Sequence, residues 1–335
     1  MVRNRLLRIG ACIAGMGFIA SCGARVESNS GQTGVGSTGG TGSSTGSTET
    51  GASGSGPQTS AGSGVWIAFD SAATLNRDVY VVRPDGSDLR RLTTELSADV
   101  QPTFSPDGHL LAFASDRSSG VMQIHLLDLA TGKVSRVTNR PGGATNPAFS
   151  PDGTRIGYRG ADVVYVAAID GTDERAVTTG TKCCFGPFGP PVFAADGQGI
   201  VYDDYNAIYE AHLDGTAERT IVPPTTGDQS YPTLSPDGAS VALQASCGDG
   251  VRSIWMVPFG GITALTCRDA SSRKLSINGV ESDHPAWGPD GSIVWDSGPG
   301  TGSLTIWKDG VATPIPIGGS GESNPTWSPV GTAIP

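Results

Sequence analysis

Six residues that each stand directly before a proline, Gln101, Asn146, Pro190, Tyr231, His284 and Asn324, are separated by 45, 44, 41, 53 and 40 positions. Gln101, Asn146, His284 and Asn324 can make directional hydrogen bonds through amide or imidazole groups, and Tyr231 adds a ring and a hydroxyl. With the acids Asp99, Asp116, Asp203, Asp204, Asp283 and Asp296 they are expected to form one polar, acidic surface that holds a ligand or partner peptide. A cation on Asp283 and His284 would need further oxygen ligands from neighbouring segments. No metal site is therefore assigned, and no cofactor is implied. The competing role for the same side chains is structural, satisfying backbone groups between repeats.

Each of these positions opens a copy of one motif. Pro102-Thr103-Phe104-Ser105-Pro106-Asp107-Gly108 recurs from Pro147, Pro191, Pro232, Pro285 and Pro325, with Ala194-Ala195 and Gly288-Pro289 among the variations. Proline pre-sets the turn, aspartate bonds its own backbone, and glycine takes the left-handed conformation that follows. These aspartates are turn residues and none is assigned a catalytic role. A period near 40 to 45 residues is that of a propeller or a solenoid.

Three further strands are expected after each motif, joined by turns such as Asp170-Gly171 and Asp214-Gly215. In the first unit they cover 109–115, 121–129 and 133–138. In the fourth they cover 239–245, 253–258 and 262–267. Residues 65–69, 78–82 and 89–93 supply three strands without a leading one, and 324–328 a leading strand without followers. Together they complete a sixth blade. The fold class is all-β, a six-bladed β-propeller of four-stranded blades closed by the C-terminal strand joining the N-terminal three.

The pattern Pro-x-Phe/Trp-Ser-Pro-Asp-Gly, followed by Leu111-Ala112-Phe113-Ala114-Ser115-Asp116-Arg117, Ile124–Leu129 and Val137-Thr138, resembles the TolB-type beta-propeller repeat over residues 65–335. That resemblance implies an envelope protein. Proteins with the full TolB layout carry an additional alpha/beta domain ahead of the propeller, through which they engage the inner-membrane part of the Tol-Pal system. A tether occupies that place here.

Residues 1–21 read as a lipoprotein signal peptide: Arg3, Arg5 and Arg8 precede an apolar run from Ile9 to Ala20, too short to span a bilayer. Ile19-Ala20-Ser21-Cys22 resembles a bacterial lipobox, with Cys22 as the lipidated residue. Cleavage there removes three arginines and takes the formal charge from −10 to −13. Gly23, in place of an aspartate, favours the outer membrane, facing the periplasm or the surface. Residues 22–64 form a Gly/Ser/Thr-rich tether with a reach on the order of 35 Å.

The remaining cysteines, Cys183, Cys184, Cys247 and Cys267, suit disulfides in an oxidising compartment. The expected pairs are Cys247 with Cys267, which would both leave their blade at the channel mouth, and Cys183 with Cys184. The negative charge excludes a nucleic-acid partner, which would need clustered lysine and arginine. Neither Gly-x-Ser-x-Gly nor His-Glu-x-x-His occurs. The expected function is a monomeric, membrane-anchored module that binds an envelope protein or peptide at the channel mouth. The alternative is a carbohydrate-binding or small hydrolase or lyase site in the channel.

Overall fold

Apolar residues fill both faces of the second strand of each repeat, and those faces build the ring. In the computed structural model the described residues are 64–334, apart from 75, 179–188, 225–226, 247–249, 263–264, 266–271, 278, 298–302 and 319–320. They belong to one unit, Pro57–Pro335. Their strands form six antiparallel four-stranded sheets.

Blade 1 consists of Asp99–Phe104, Leu110–Ser115, Gln123–Asp128 and Val134–Arg136. Blade 2 is Thr145–Phe149, Arg155–Gly160, Val163–Ala168 and Arg175–Ala176. Blade 3 is Val192–Phe193, Gly199–Asp203, Ile208–His212 and Glu218–Val222. Blade 4 is Gln229–Leu234, Ser240–Ser246, Arg252–Pro258 and Arg273–Lys274. Blade 5 is Ser282–Trp287, Ile293–Ser297, Ser303–Lys308 and Val311–Pro314. Blade 6 joins Glu322–Trp327 to Ile67–Ser71, Asp78–Val82 and Arg90–Arg91.

Alternate residues of each second strand enter opposite seams. Leu111 and Phe113 pack with Trp66, Val79 and Val81 of blade 6, whereas Ala112 and Ala114 pack with Ile156 and Tyr158 of blade 2. The other four seams repeat this arrangement. Each fully buried large apolar side chain contributes about 1.5–3 kcal/mol. Every blade therefore depends on both neighbours.

The repeated turns are scaffold. Ser105 Oγ donates to Asp107 Oδ1 at 2.5 Å and accepts the Leu110 amide at 2.9 Å, while Asp107 also accepts the His109 amide. In the next copy the Ser150 hydroxyl, then Thr154, holds Asp152 down to about 2. Gly288 replaces the serine in blade 5 because a Cβ there would lie 3.0 Å from the Trp327 ring. Ser292 supplies the missing hydroxyl, donating to Asp290 at 2.5 Å.

One expected strand is corrected. The fourth strand of blade 4 is Arg273–Lys274, paired with Met256 and Trp255, in place of the expected 262–267. Ile262 donates instead to Ile221 O of blade 3 at 3.0 Å, and Leu265 is buried in the seam between blades 3 and 4. Their apolar spacing reflects packing against the neighbour, not a ladder. The true edge is marked by Leu275-Ser276: Ser276 Oγ accepts the Ile254 amide at 3.1 Å, as Thr93, Thr138 and Thr178 do in blades 6, 1 and 2. Cys267 therefore precedes the fourth strand rather than ending it. Cys22, Cys183, Cys184, Cys247 and Cys267 themselves lie outside the described residues, as do the signal segment and nearly all of the tether.

Closure is fixed at Trp66. Its amide donates to Ser328 Oγ at 2.7 Å, its carbonyl accepts the Ser328 amide at 2.8 Å, and its indole N–H donates to Thr332 O at 3.1 Å. Arg83 lies over the indole ring, 3.7 Å from its centroid. Ser328→Ala leaves the buried Trp66 amide without its partner, a loss of about 1–2 kcal/mol. A lower urea midpoint at unchanged slope is expected; an unmoved midpoint would show that closure does not rest on this bond.

Candidate functional site

The six first strands stand around a channel of about 510 Å³, and Gln101, Asn146, Pro190, Tyr231, His284 and Asn324 all line it. Five of them have left-handed backbone, with φ of 57° at Gln101, 54° at Asn146 and Tyr231, 51° at His284 and 52° at Asn324. The ladder shifts register at the same places, between Val100 and Thr103, Thr145 and Ala148, Ser230 and Thr233, and Asp283 and Ala286. Each is a β-bulge that re-aims a side chain. The proline that follows disfavours the right-handed alternative. Its missing N–H is tolerated because the first strand is the inner edge of its sheet.

A bulged residue loses its ladder partner, and the preceding blade supplies another. Asp70, Ala114, Arg159, Asp203, Gln244 and Asp296 are equivalent, each pairing with the corresponding third-strand residue, Val79, Ile124, Val164, Ile208, Ile254 or Leu304. Asp70 Oδ1 accepts the Gln101 amide at 2.9 Å and Asn324 Nδ2 at 2.8 Å. Asp203 Oδ2 accepts the Tyr231 amide at 3.0 Å and the Gly189 amide at 2.9 Å. Gln244 Oε1 faces the His284 amide at 3.5 Å. Ala114 offers nothing, and Gln101 Oε1 accepts the Asn146 amide at 2.9 Å in its place. Blade 3 has no bulge amide because Pro190 lacks one. Gly189 approaches instead, so close that a Cβ would lie 2.6 Å from Tyr231 Cα.

The expected acidic mouth is therefore largely occupied by protein donors. Asp99 is paired with Arg117 at 2.6 Å, Asp116 accepts the Ala98 amide at 3.0 Å, and Asp204 accepts the Asn206 and Ala207 amides. Asp283 and His284 do not form a pair. Asp283 Oδ2 lies 3.2 Å from Arg252, and His284 Nδ1 lies 2.9 Å from both carboxylate oxygens of Asp296. Among the described residues no group of three or more His, Cys, Asp or Glu side chains is placed to hold a metal ion.

Tyr231 and His284 meet edge to face with ring centroids 4.3 Å apart. Burial alone would lower the His284 pKa, but Asp296 outweighs it and the net shift is upward. Burial, then Asp203 and Asp296, pushes the Tyr231 hydroxyl up, so it stays protonated. Sequence reasoning missed Asp70, Arg159 and Gln244. Their signal was legible: a polar residue follows Phe69, Tyr158, Tyr202, Leu243 and Trp295 at one place in five otherwise apolar second strands.

Residues 41–162 match the family model described as the TolB beta propeller domain. Over those residues the repeats are of the TolB type. Over 122 residues the chain is 34% identical to the protein TolB homolog of Chlorobaculum tepidum, an alignment covering 35% of this chain and 27% of that protein. It is 39% identical over 71 residues to the Tol-Pal system protein TolB of Francisella tularensis subsp. mediasiatica, covering 19% and 16%. The chain thus spans about a quarter or less of the curated TolB relatives it matches here. TolB from Acinetobacter baumannii superposes with a TM-score of 0.64 at 19% identity, over 79% of this chain and 66% of that one. A chain of the Nidogen/Laminin complex gives 0.62 at 12% identity, over 79% and 98%, a likeness of fold alone. In this ring the mouth is taken as the channel end that the bulged residues line.

Asp283 is 6% exposed, and burial pushes its carboxyl up to about 6 against the pull of Arg252. Its folded pKa lies above the unfolded value of about 3.9. The folded state then binds the proton more tightly, and this group's contribution to stability falls as pH rises from about 4 to about 6. Asp283→Asn is expected to remove that slope and to be at least as stable as the parent at pH 7. Denaturant titrations across the window check it; parallel pH curves for the two proteins would refute the assignment.

Proposed function

We propose that this chain is a bacterial lipoprotein, cleaved ahead of Cys22 and anchored through it to the outer membrane, whose propeller binds an envelope protein or peptide at the channel mouth without catalysing a reaction. The observation that carries the mouth assignment is backbone strain. Tyr231 and His284 hold left-handed backbone, where glycine or asparagine would sit at lower cost and bulky side chains are uncommon. Such outliers concentrate at binding sites, because the side chain is needed where the backbone resists it. The envelope setting is supported by the TolB relatives, one of them named as a Tol-Pal system protein. Anchoring is supported by Arg3, Arg5, Arg8, the apolar run and Ile19-Ala20-Ser21-Cys22.

Two measurements test this. Cys22→Ser should move the protein from the membrane pellet to the soluble fraction, and continued pelleting would sink the anchor. Crosslinking in intact envelopes should recover a partner, and Tyr231→Asn should reduce that recovery at least tenfold while shifting unfolding by less than about 1 kcal/mol, since asparagine accepts the left-handed backbone. Undiminished capture by both Tyr231→Asn and His284→Asn would place the partner elsewhere.

A further inference from the structure

The sum of formal charges around the mouth suggests a site for a cation, but the hydrogen bonds reverse that. Asp203 accepts the Tyr231 amide of blade 4 and the Gly189 amide of its own blade, and Asp70 accepts the Gln101 amide of blade 1 together with Arg77 Nε at 2.7 Å. Asp296 turns both oxygens to His284 Nδ1. Two buried carboxylate oxygens, Asp283 Oδ1 and Glu322 Oε2, have no hydrogen-bond partner, but both are closed to solvent and neither residue lines the channel. Two side chains on the channel wall can offer a donor that has no partner among the described residues. Tyr231 Oη and His284 Nε2 make no hydrogen bond among the described residues, and both residues line the channel. Asp296 accepts Nδ1–H and so fixes the imidazole orientation; burial opposes a charged ring, but the Asp296 carboxylate outweighs it, and the imidazolium that this favours carries a proton on Nε2 as well. Beneath them the wall is apolar, formed by Pro232, Pro285 and Trp287. Apolar walls lower the local dielectric and strengthen a hydrogen bond to a charged acceptor.

We infer that the partner presents a carboxylate to the mouth, received by the Tyr231 hydroxyl and His284 Nε2–H, with Asp296 positioning the imidazole. This rests on the reading of the mouth as a peptide-binding site. The carboxylate belongs either to an aspartate or glutamate side chain or to a chain terminus, and the two sources present the same chemistry.

The test uses three fluorescein-labelled pools of randomised six-residue peptides with the whole protein, read by fluorescence polarisation. One pool has a free carboxyl terminus and no acidic residue, one is amidated with a single aspartate or glutamate, and one is amidated and acid-free. At least one carboxylate pool is expected to bind about tenfold more tightly than the acid-free pool, and whichever does so identifies the source. In His284→Asn, which keeps a residue suited to left-handed backbone, and in Tyr231→Phe, which keeps the ring, that preference should fall several-fold toward one. A preference that survives both substitutions overturns the inference, as does tighter binding of a lysine-enriched amidated pool or no binding by any pool. Equal binding of all three pools, weakened by the same substitutions, also overturns it while leaving the mouth a peptide site.

Discussion

A left-handed residue before a proline takes its amide out of the sheet, and a buried amide left unpaired costs about 1–3 kcal/mol. That requirement organises the centre of this ring. At four of the five bulged residues, Gln101, Asn146, Tyr231 and His284, a side chain of the preceding blade faces the displaced amide. Asp70, Asp203 and Gln244 do so directly. Where blade 1 has Ala114, Gln101 extends its own side chain to the Asn146 amide. The structural and functional roles of the six positions are therefore not exclusive. Gln101 and Asn324 use their side chains between blades, whereas Tyr231 and His284 keep theirs for the channel.

The same bonds decide the electrostatics of the mouth. A chain with a formal charge of −10 and acids near every blade end looks suited to cations. Carboxylates that already accept backbone amides and guanidinium groups have little capacity left for a ligand. Hydrogen-bond satisfaction, and not net charge, is what a ligand meets at this range. At longer range the net charge still acts, repelling anionic surfaces within a Debye length of about 8–10 Å.

Repeat-level features were legible because they follow from local chemistry. The Ser-Pro-Asp-Gly turns come from residues within a few positions of one another, and the blade count and the closure by Glu322–Trp327 follow from counting the copies of that local unit and its incomplete ends. The six residues before the prolines could be placed around one channel for the same reason. Contacts between blades were less accessible. Ile262 and Leu265 stand in a short run that reads as a strand, yet they serve a seam with blade 3. The longest spacing, 53 residues, reflects the long connection between Pro258 and Arg273, where the third strand of blade 4 leads to the fourth. His284 reads as a partner of the adjacent Asp283, whereas a bulge turns it to Asp296 across the sheet. Adjacent side chains on a strand point to opposite faces unless a bulge intervenes, and the bulge was not visible without the φ values.

A ring of six like blades offers a ligand six like positions, so discrimination must come from the departures. Blade 3 has a proline where the others have a bulged residue, and its first strand shortens to Val192–Phe193. That replaces one polar side chain at the mouth with a proline ring, while Gly189 closes against Tyr231. Blade 4 contributes the phenol, and blade 5 the imidazole with its carboxylate. Arg159 of blade 2, 1% exposed and donating to Gly189 O at 2.5 Å, supports this arc from behind. The departures are contiguous, running from blade 2 to blade 5, while Gln101, Asn324 and Asp70 on the other side are tied to one another. One half of the ring holds the closure and the other half presents free donors, which is the asymmetry that recognition of a directional chain requires.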